Sequence, residues 1–337
     1  MSTALQFYLS TLCVYLGVSL VACWGLNLQF GVTGVLNFGF IVFQALGAYT
    51  AAVLTLGPDS NYSGFQKYVL GFSLPFPIPI LVAGVVGALA GIVLGTVGLR
   101  RLRSDYQAMV FLVITIIATN VATNVTGLVN GSGGLSLVPE PLATGLGLSS
   151  LGYQWFYVGL MAVYSVLALV VIRRITASPL GRQLRAVRDQ EQAAEALGLN
   201  AFRLRLMVVA IGGAMAAVSG AALVEFIGSW GVGSWLYAET FVYLAAVIIG
   251  GSGNDFGVAL GALLVPVAFN ELPRFLPEFG RPGLVDALRW VVIGLAILVF
   301  VYFRPQGIIP ERSRRFSLGG DAERSRGLRR LLTRSSR

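Results

Sequence analysis

Long apolar runs recur along the whole chain, and several reach the roughly 18 to 20 residues that carry a helix across a hydrocarbon core. They lie at 6–27, 33–56, 78–99, 106–127, 153–172, 206–228, 239–250, 257–273 and 284–303. A bilayer interior offers no water to backbone N–H and C=O groups, so such segments close their hydrogen bonds internally, as helices. Composition agrees: 12 % of the 337 residues are charged, against about a quarter in a soluble domain. The expected fold is all-α, a polytopic transmembrane helical bundle of about 8–10 spans. Run 33–56, interrupted by glycines, and run 239–250, which is short, fit a simple crossing least well.

Lys and Arg accumulate in cytoplasmic loops and set orientation. Arg100, Arg101 and Arg103 share one loop; Arg173, Arg174, Arg182, Arg185, Arg188, Arg203 and Arg205 share another; ten more Arg follow residue 303. Nine crossings put these 20 charges on one side and leave 4, Lys67, Arg274, Arg281 and Arg289, on the other. The N-terminus is then expected outside and the C-terminus in the cytoplasm. Basic residues at membrane edges and in a tail serve topology and anionic lipid rather than nucleic acid. Residues 1–310 read as the membrane domain, with a polar loop at 174–205, and 311–337 as an arginine-rich cytoplasmic tail.

The chain has no histidine, which excludes imidazole metal sites and Ser-His catalysis, and no metal site or catalytic constellation is expected. Cys13 and Cys23 are ten residues apart in one apolar run, about 15 Å on a helix and too far for a disulfide. Residues 21–23, Val-Ala-Cys, look like a lipoprotein cleavage site, but residues 1–12 carry no Lys or Arg. The first run is therefore expected to be a retained helix. Lys67 is the only lysine. A phosphate-binding P-loop needs a lysine beside a Gly-rich turn, so ATP and its Mg²⁺, if used, belong to partner subunits, and the chain itself needs no cofactor.

The polar segment TASPLGRQLRAVRDQEQAAEALGLN at 176–200 interrupts this pattern. Ser178 suits a cap and Pro179 a first helical turn. Leu180, Leu184, Val187, Ala194 and Leu197 fall on one stripe at helical spacing. Gly198 suits a left-handed terminator, and Asn200 can cap the next helix. The expectation is one short amphipathic helix. It either lies on the bilayer or acts as a lever in a groove of a cytosolic protein, and its three acidic residues weigh against anionic lipid.

GRQLRAVRDQEQAAEALGLNAFRLRL, from Gly181, resembles the coupling loop of the permease subunits of branched-chain amino acid ATP-binding-cassette importers of the LivM type; urea and amide importer permeases are closely similar. Other pieces agree in order: GLNLQFGVTGVLNFGFIVFQALGAYTAAVL at 25–54, AVIIGGSGNDFGVALGALL at 246–264 and FRPQGIIP at 303–310. The chain departs from that family at two places. Residues 35–40 read VLNFGF without a histidine, and residues 115–120 read TIIATN without an acidic-Ile-Arg mark. The resemblance implies a multi-pass permease of a bacterial-type inner membrane. Its expected partners are a second, related permease, two cytosolic ATPases and an extracytoplasmic binding protein, and its solute a branched-chain or hydrophobic amino acid. Urea or a short amide is the alternative. The residues implied to meet the ATPase are Gly181, Arg182, Leu184, Arg185, Val187, Arg188, Asp189, Ala193, Ala194, Leu197 and Gly198.

A translocation path needs polar groups inside an oily bundle. Asn27, Asn37 and Gln44 are candidates, as are Thr115, Thr119, Asn120 and Thr123, which recur with Asn124 at three- and four-residue spacing. Interhelical hydrogen bonding would explain the same residues. Gly250, Gly251 and Gly253 read as a tight helix-to-helix turn rather than a ligand cradle. Glu225 and Glu239 fall near outer ends of runs and Asp105 at an inner end. A proton-driven carrier usually places an ionisable group at mid-membrane; lacking one there, a gradient-driven carrier or channel ranks behind the importer, and the path suits neutral or zwitterionic solutes.

Overall fold

The computed structural model describes residues 3–58, 66–100, 104–142, 147–269, 271, 284–304 and 306–311. Among these residues every long element is helical, and strand-type pairing is confined to two isolated bridges, Tyr68 with Val129 and Leu135 with Trp230. Apart from a single turn at Thr126–Val129, the α-helices are α1 (Thr3–Val32), α2 (Phe40–Leu56), α3 (Ile78–Leu99), α4 (Ser104–Asn124), α5 (Ser150–Ala177), α6 (Pro179–Asp189), α7 (Glu191–Ala196), α8 (Ala201–Ile227), α9 (Tyr237–Gly250), α10 (Asp255–Phe269) and α11 (Leu284–Phe303).

Each of the nine apolar runs therefore contributes a helix over most of its described length. Among the described residues six helical stretches are long and apolar enough to cross a membrane, and α2, α10 and the Trp290–Phe303 part of α11 are shorter apolar helices. Run 239–250 gains length from a 3₁₀ turn at Val232–Trp235, which extends its apolar stretch to Val232–Gly250. Run 33–56 is shorter as helix than as sequence. After a π-helical end to α1 at Leu28–Val32 the chain unwinds over 33–39, and helix resumes at Phe40. This unwound backbone is buried in protein, which is where a membrane domain tolerates it. In α10, Pro266 sits inside a second π-helical stretch, Leu263–Phe269; a proline supplies no N–H to an α-helical ladder, and the wider turn accommodates it.

The centre of the bundle is α8, 72 % buried over its membrane window. It packs most extensively on α3 and α2 and also on α1. Small residues make these contacts close. A Cβ on Gly47 of α2 would stand 2.0 Å from the Ala217 carbonyl oxygen, and one on Gly91 of α3 would stand 2.6 Å from the Ala210 Cα. On α3 the residues turned inward are Ala83, Gly87, Gly91, Gly95 and Gly98, while Leu81, Val85, Leu89, Val93 and Val97 face outward. Lipid tails are as apolar as leucine, so close backbone packing replaces the hydrophobic effect as the cohesive force between membrane helices.

From α1 to α10, successive connections among the described residues alternate between two ends of the bundle. At one end Asn27 of α1 meets Gly253 of the α9–α10 turn, Arg188 of α6 meets Gly31, and Arg100 shares a cavity with Glu191 and Arg205. At the other, Gln66 pairs with Ser136, Leu135 with Trp230, and the Tyr153 hydroxyl with the Pro141 carbonyl. The described arginines of the 173–205 loop lie at the first end and Lys67 at the second.

Candidate functional site

The polar segment forms two helices, not one. Gln190 adopts an extended backbone (φ −152°, ψ 94°) and breaks the expected helix into α6 and α7. Pro179 opens α6 in its first turn, but the Ser178 hydroxyl donates back to the Ile175 carbonyl at 2.7 Å instead of capping forward. Gly198 ends α7 with φ +85°, and the Asn200 side chain caps α8 by accepting from the Arg203 N–H at 2.9 Å.

The break redistributes the apolar stripe. Gly181, Leu184, Val187 and Ala194 are buried; Val187 and Ala194 pack with Ala201, and Leu184 joins the main core. Leu197, expected on the same stripe, is 84 % exposed. It lies beyond the end of α7, so the periodicity that would have turned it inward no longer applies. Arg182, Asp189, Ala193, Leu197 and Gly198 all face outward. The unit presents a polar face to its surroundings and a small apolar face to the bundle.

Its ties to the bundle are numerous. A Cβ on Gly181 would meet the Thr176 carbonyl oxygen at 2.3 Å, and Arg185 donates to that same oxygen at 3.3 Å, so α6 folds back tightly on α5. Arg188 donates to the Gly31 carbonyl at the end of α1. The last carbonyls of a helix lack intrahelical partners and carry partial negative charge, which a guanidinium satisfies. Arg205 holds Glu191 in a fork of two bonds, 2.8 and 2.9 Å, fastening α7 to the base of α8.

The glycine turn completes the base. Gly250 ends α9, and Gly251 and Gly253 take φ of +121° and +82°. A Cβ on Gly251 would lie 2.1 Å from the Ile309 carbonyl oxygen, so residues 308–311 run against the turn as a strap. Ile308 and Ile309 donate to the Ile249 and Gly250 carbonyls at 2.8 and 3.1 Å. Beside the strap a cavity of about 1120 Å³ opens between α6, α5 and the start of α10, with Arg173, Arg182, Arg185, Asp255 and Glu311 in its wall.

The polar residues proposed to line a path fall into two groups. Asn27, Asn37 and Gln44 are each no more than 3 % exposed and tie elements together. Asn27 accepts from the Gly253 N–H at 2.8 Å, Asn37 donates to Gln29 at 2.9 Å, and Gln44 donates to the Tyr243 hydroxyl at 3.1 Å. The α4 set is different. Thr115, Thr119 and Thr123 run down one column, each donating to the carbonyl four residues back, and Thr115 is buried. Asn120 and Asn124 stand beside that column, exposed, their amides turned onto the Ile116 and Asn120 carbonyls at 2.7 and 2.8 Å.

Sequence reasoning missed three features. Gln29 is fully buried between Asn37 and the Val209 carbonyl. Glu225, near the end of α8 as expected, is 1 % exposed, with one oxygen lacking a partner among the described residues. Glu311 receives both Arg185 and Arg188. An acidic residue four positions after the FRPQG stretch was the only signal for the last.

A family model described as the permease component of the branched-chain amino acid transport system matches residues 8–301. The chain is 32 % identical over 308 residues to the high-affinity branched-chain amino acid transport system permease protein LivM of Escherichia coli, covering 85 % of this chain and 66 % of that protein. It is 25 % identical to a probable LivM of Methanocaldococcus jannaschii over 90 % of this chain and 94 % of that one. It is 24 % identical to the LivH permease of Salmonella typhimurium over 85 % and 89 %. No solved structure matches the chain.

Proposed function

The chain belongs to the family of branched-chain amino acid transport system permease components, and from that premise we propose that it is the membrane-spanning subunit of an ATP-binding-cassette importer for branched-chain or hydrophobic amino acids. It is a multi-pass inner-membrane protein. In this reading two cytosolic ATPases hydrolyse ATP, an extracytoplasmic binding protein delivers the solute, and a related permease completes the pore. The chain is a transport subunit and performs no catalysis of its own.

The observation that carries the reading is the α6–α7 unit. It offers Arg182, Asp189, Ala193 and Leu197 outward while Gly181, Leu184, Val187 and Ala194 lock it to the bundle. A lever requires that combination: a face to be pushed, and rigid attachment to what must move. The end bearing it holds the loop arginines, and the positive-inside rule assigns that end to the cytoplasm.

The path is assigned to α4. Only 22 % of its membrane window is buried, and it exposes Asn120 and Asn124 beside the threonine column. Exposed carboxamides are costly against lipid and suited to a wet cavity or a facing helix. The α4 face therefore belongs between this chain and the second permease, where neutral hydrogen-bonding groups suit a zwitterion. Reconstituting the chain with its co-purifying partners in proteoliposomes tests this. Uptake of labelled leucine should require ATP on the ATPase side and binding protein on the other; uptake that follows a proton or sodium gradient without ATP would overturn the importer reading.

A further inference from the structure

We propose that Glu311 is a positioning residue for coupling: its carboxylate locks α6 to the strap at 308–311, so that movement of α6 reaches α1, α9 and α10 together. The inference rests on the importer reading above and adds to it the route by which a push on α6 spreads.

The carboxylate is shared. One oxygen lies 3.2 Å from Arg185 Nε and the other 3.0 Å from Arg188 Nη1. Both arginines are on α6, one turn apart, and all three side chains are about a quarter exposed. Carboxylates that accept from guanidinium form the stronger and more directional class of hydrogen bond, and two donors from one helix fix that helix in rotation as well as position. Arg188 also reaches the Gly31 carbonyl, and its Cγ would lie 3.1 Å from a Cβ on Gly34. The same guanidinium thus joins Glu311 to the end of α1.

The strap behind Glu311 is fastened on both sides. Ile308 and Ile309 bond to the last carbonyls of α9. The Asn254 amide donates to the Pro310 carbonyl at 3.0 Å, while its oxygen accepts from the Phe256 and Gly257 N–H groups at the start of α10. Gly253 makes room: a Cβ there would stand 2.8 Å from a Glu311 carboxylate oxygen. Its N–H meets Asn27 of α1, and the Trp24 indole donates to the Asp255 carbonyl at 2.9 Å. Without Glu311, α6 keeps its covalent link to α5, the Arg185 bond to the Thr176 carbonyl, the Arg188–Gly31 contact and the attraction of Arg185 for Asp255, but loses both ion pairs to the strap.

The test uses the full importer complex in proteoliposomes, comparing wild type, Glu311→Gln and Glu311→Asp for assembly, ATP hydrolysis and leucine moved per ATP. Glu311→Gln keeps size and removes charge. It should assemble and hydrolyse ATP within about twofold of wild type, yet move about fivefold less leucine per ATP, the equivalent of roughly 1 kcal/mol of lost linkage. Glu311→Asp should recover most of that ratio. An unchanged ratio in Glu311→Gln overturns the proposal. So does a Glu311→Gln complex that fails to assemble while Glu311→Asp assembles with the same deficit, because the residue would then serve folding alone. A wild-type complex without ATP-driven uptake would overturn the importer reading and the relay with it, an outcome distinct from a wild type that couples and a variant that couples equally.

Discussion

Leu184 and Leu197 show what spacing reveals at the level of one residue and where it stops. Both fall on the apolar stripe of the polar segment, yet Leu184 is fully buried and Leu197 is 84 % exposed. The difference is the extended backbone at Gln190, a tertiary choice that no local apolar pattern encodes. Truncation separates them. Leu184→Ala should cost about 3 kcal/mol, the range for a buried leucine, and lower the unfolding temperature of the detergent-solubilised protein. Leu197→Ala should leave that temperature unchanged and, if the outward face meets the ATPase, weaken ATPase retention on purification. Equal melting shifts for the two would contradict the burial difference. Gly47 is another residue whose role was hidden in the sequence. A single methyl there points at the Ala217 carbonyl oxygen at 2.0 Å, and Gly47→Ala should destabilise by about 1–3 kcal/mol through overpacking, read in the same melting assay.

Whole elements were legible where hydropathy alone decides them. Each of the nine apolar runs became helical over most of its described length, because a hydrocarbon medium leaves the backbone few alternatives. What the runs did not show was which face of each helix meets which neighbour. The α3 ladder of Gly87, Gly91 and Gly95 was visible as letters, but its partner, α8, lies more than a hundred residues away. The unwinding at 33–39 was foreshadowed by its glycines; its stabilisation by Gln29 and Asn37 was not, since that depends on the Val209 carbonyl of α8. Helix α4 is the reverse case: its Thr and Asn spacing sets these residues along one side of a helix, and among the described residues Asn120 and Asn124 are exposed there. Replacing Asn120 by Leu should therefore lower transport several-fold with little change in folding, since among the described residues the side chain bonds the Ile116 carbonyl of its own helix. A variant that transports at the wild-type rate would remove this face from the path.

For the whole molecule, the decisive quantity is the asymmetry of charge between its two ends. Loop arginines gather where α6, α7, the glycine turn and the strap converge, and Lys67 lies at the opposite end beside Asn130. Because successive connections from α1 to α10 alternate between those ends among the described residues, fixing the side of one of these loops fixes the others. A lever works only where an ATPase can reach it, so the topology and the function stand or fall together. Cysteine accessibility decides the matter. Cys13 and Cys23 are the two native cysteines and are first replaced by Ser or Ala. A single cysteine at Lys67 should then react with a membrane-impermeant maleimide in intact cells after outer-membrane permeabilisation. A cysteine at Arg182, exposed on α6, should react only when the inner membrane is opened. The reverse pattern would place α6 outside the cell, beyond any cytosolic ATPase, and would refute the lever along with the orientation.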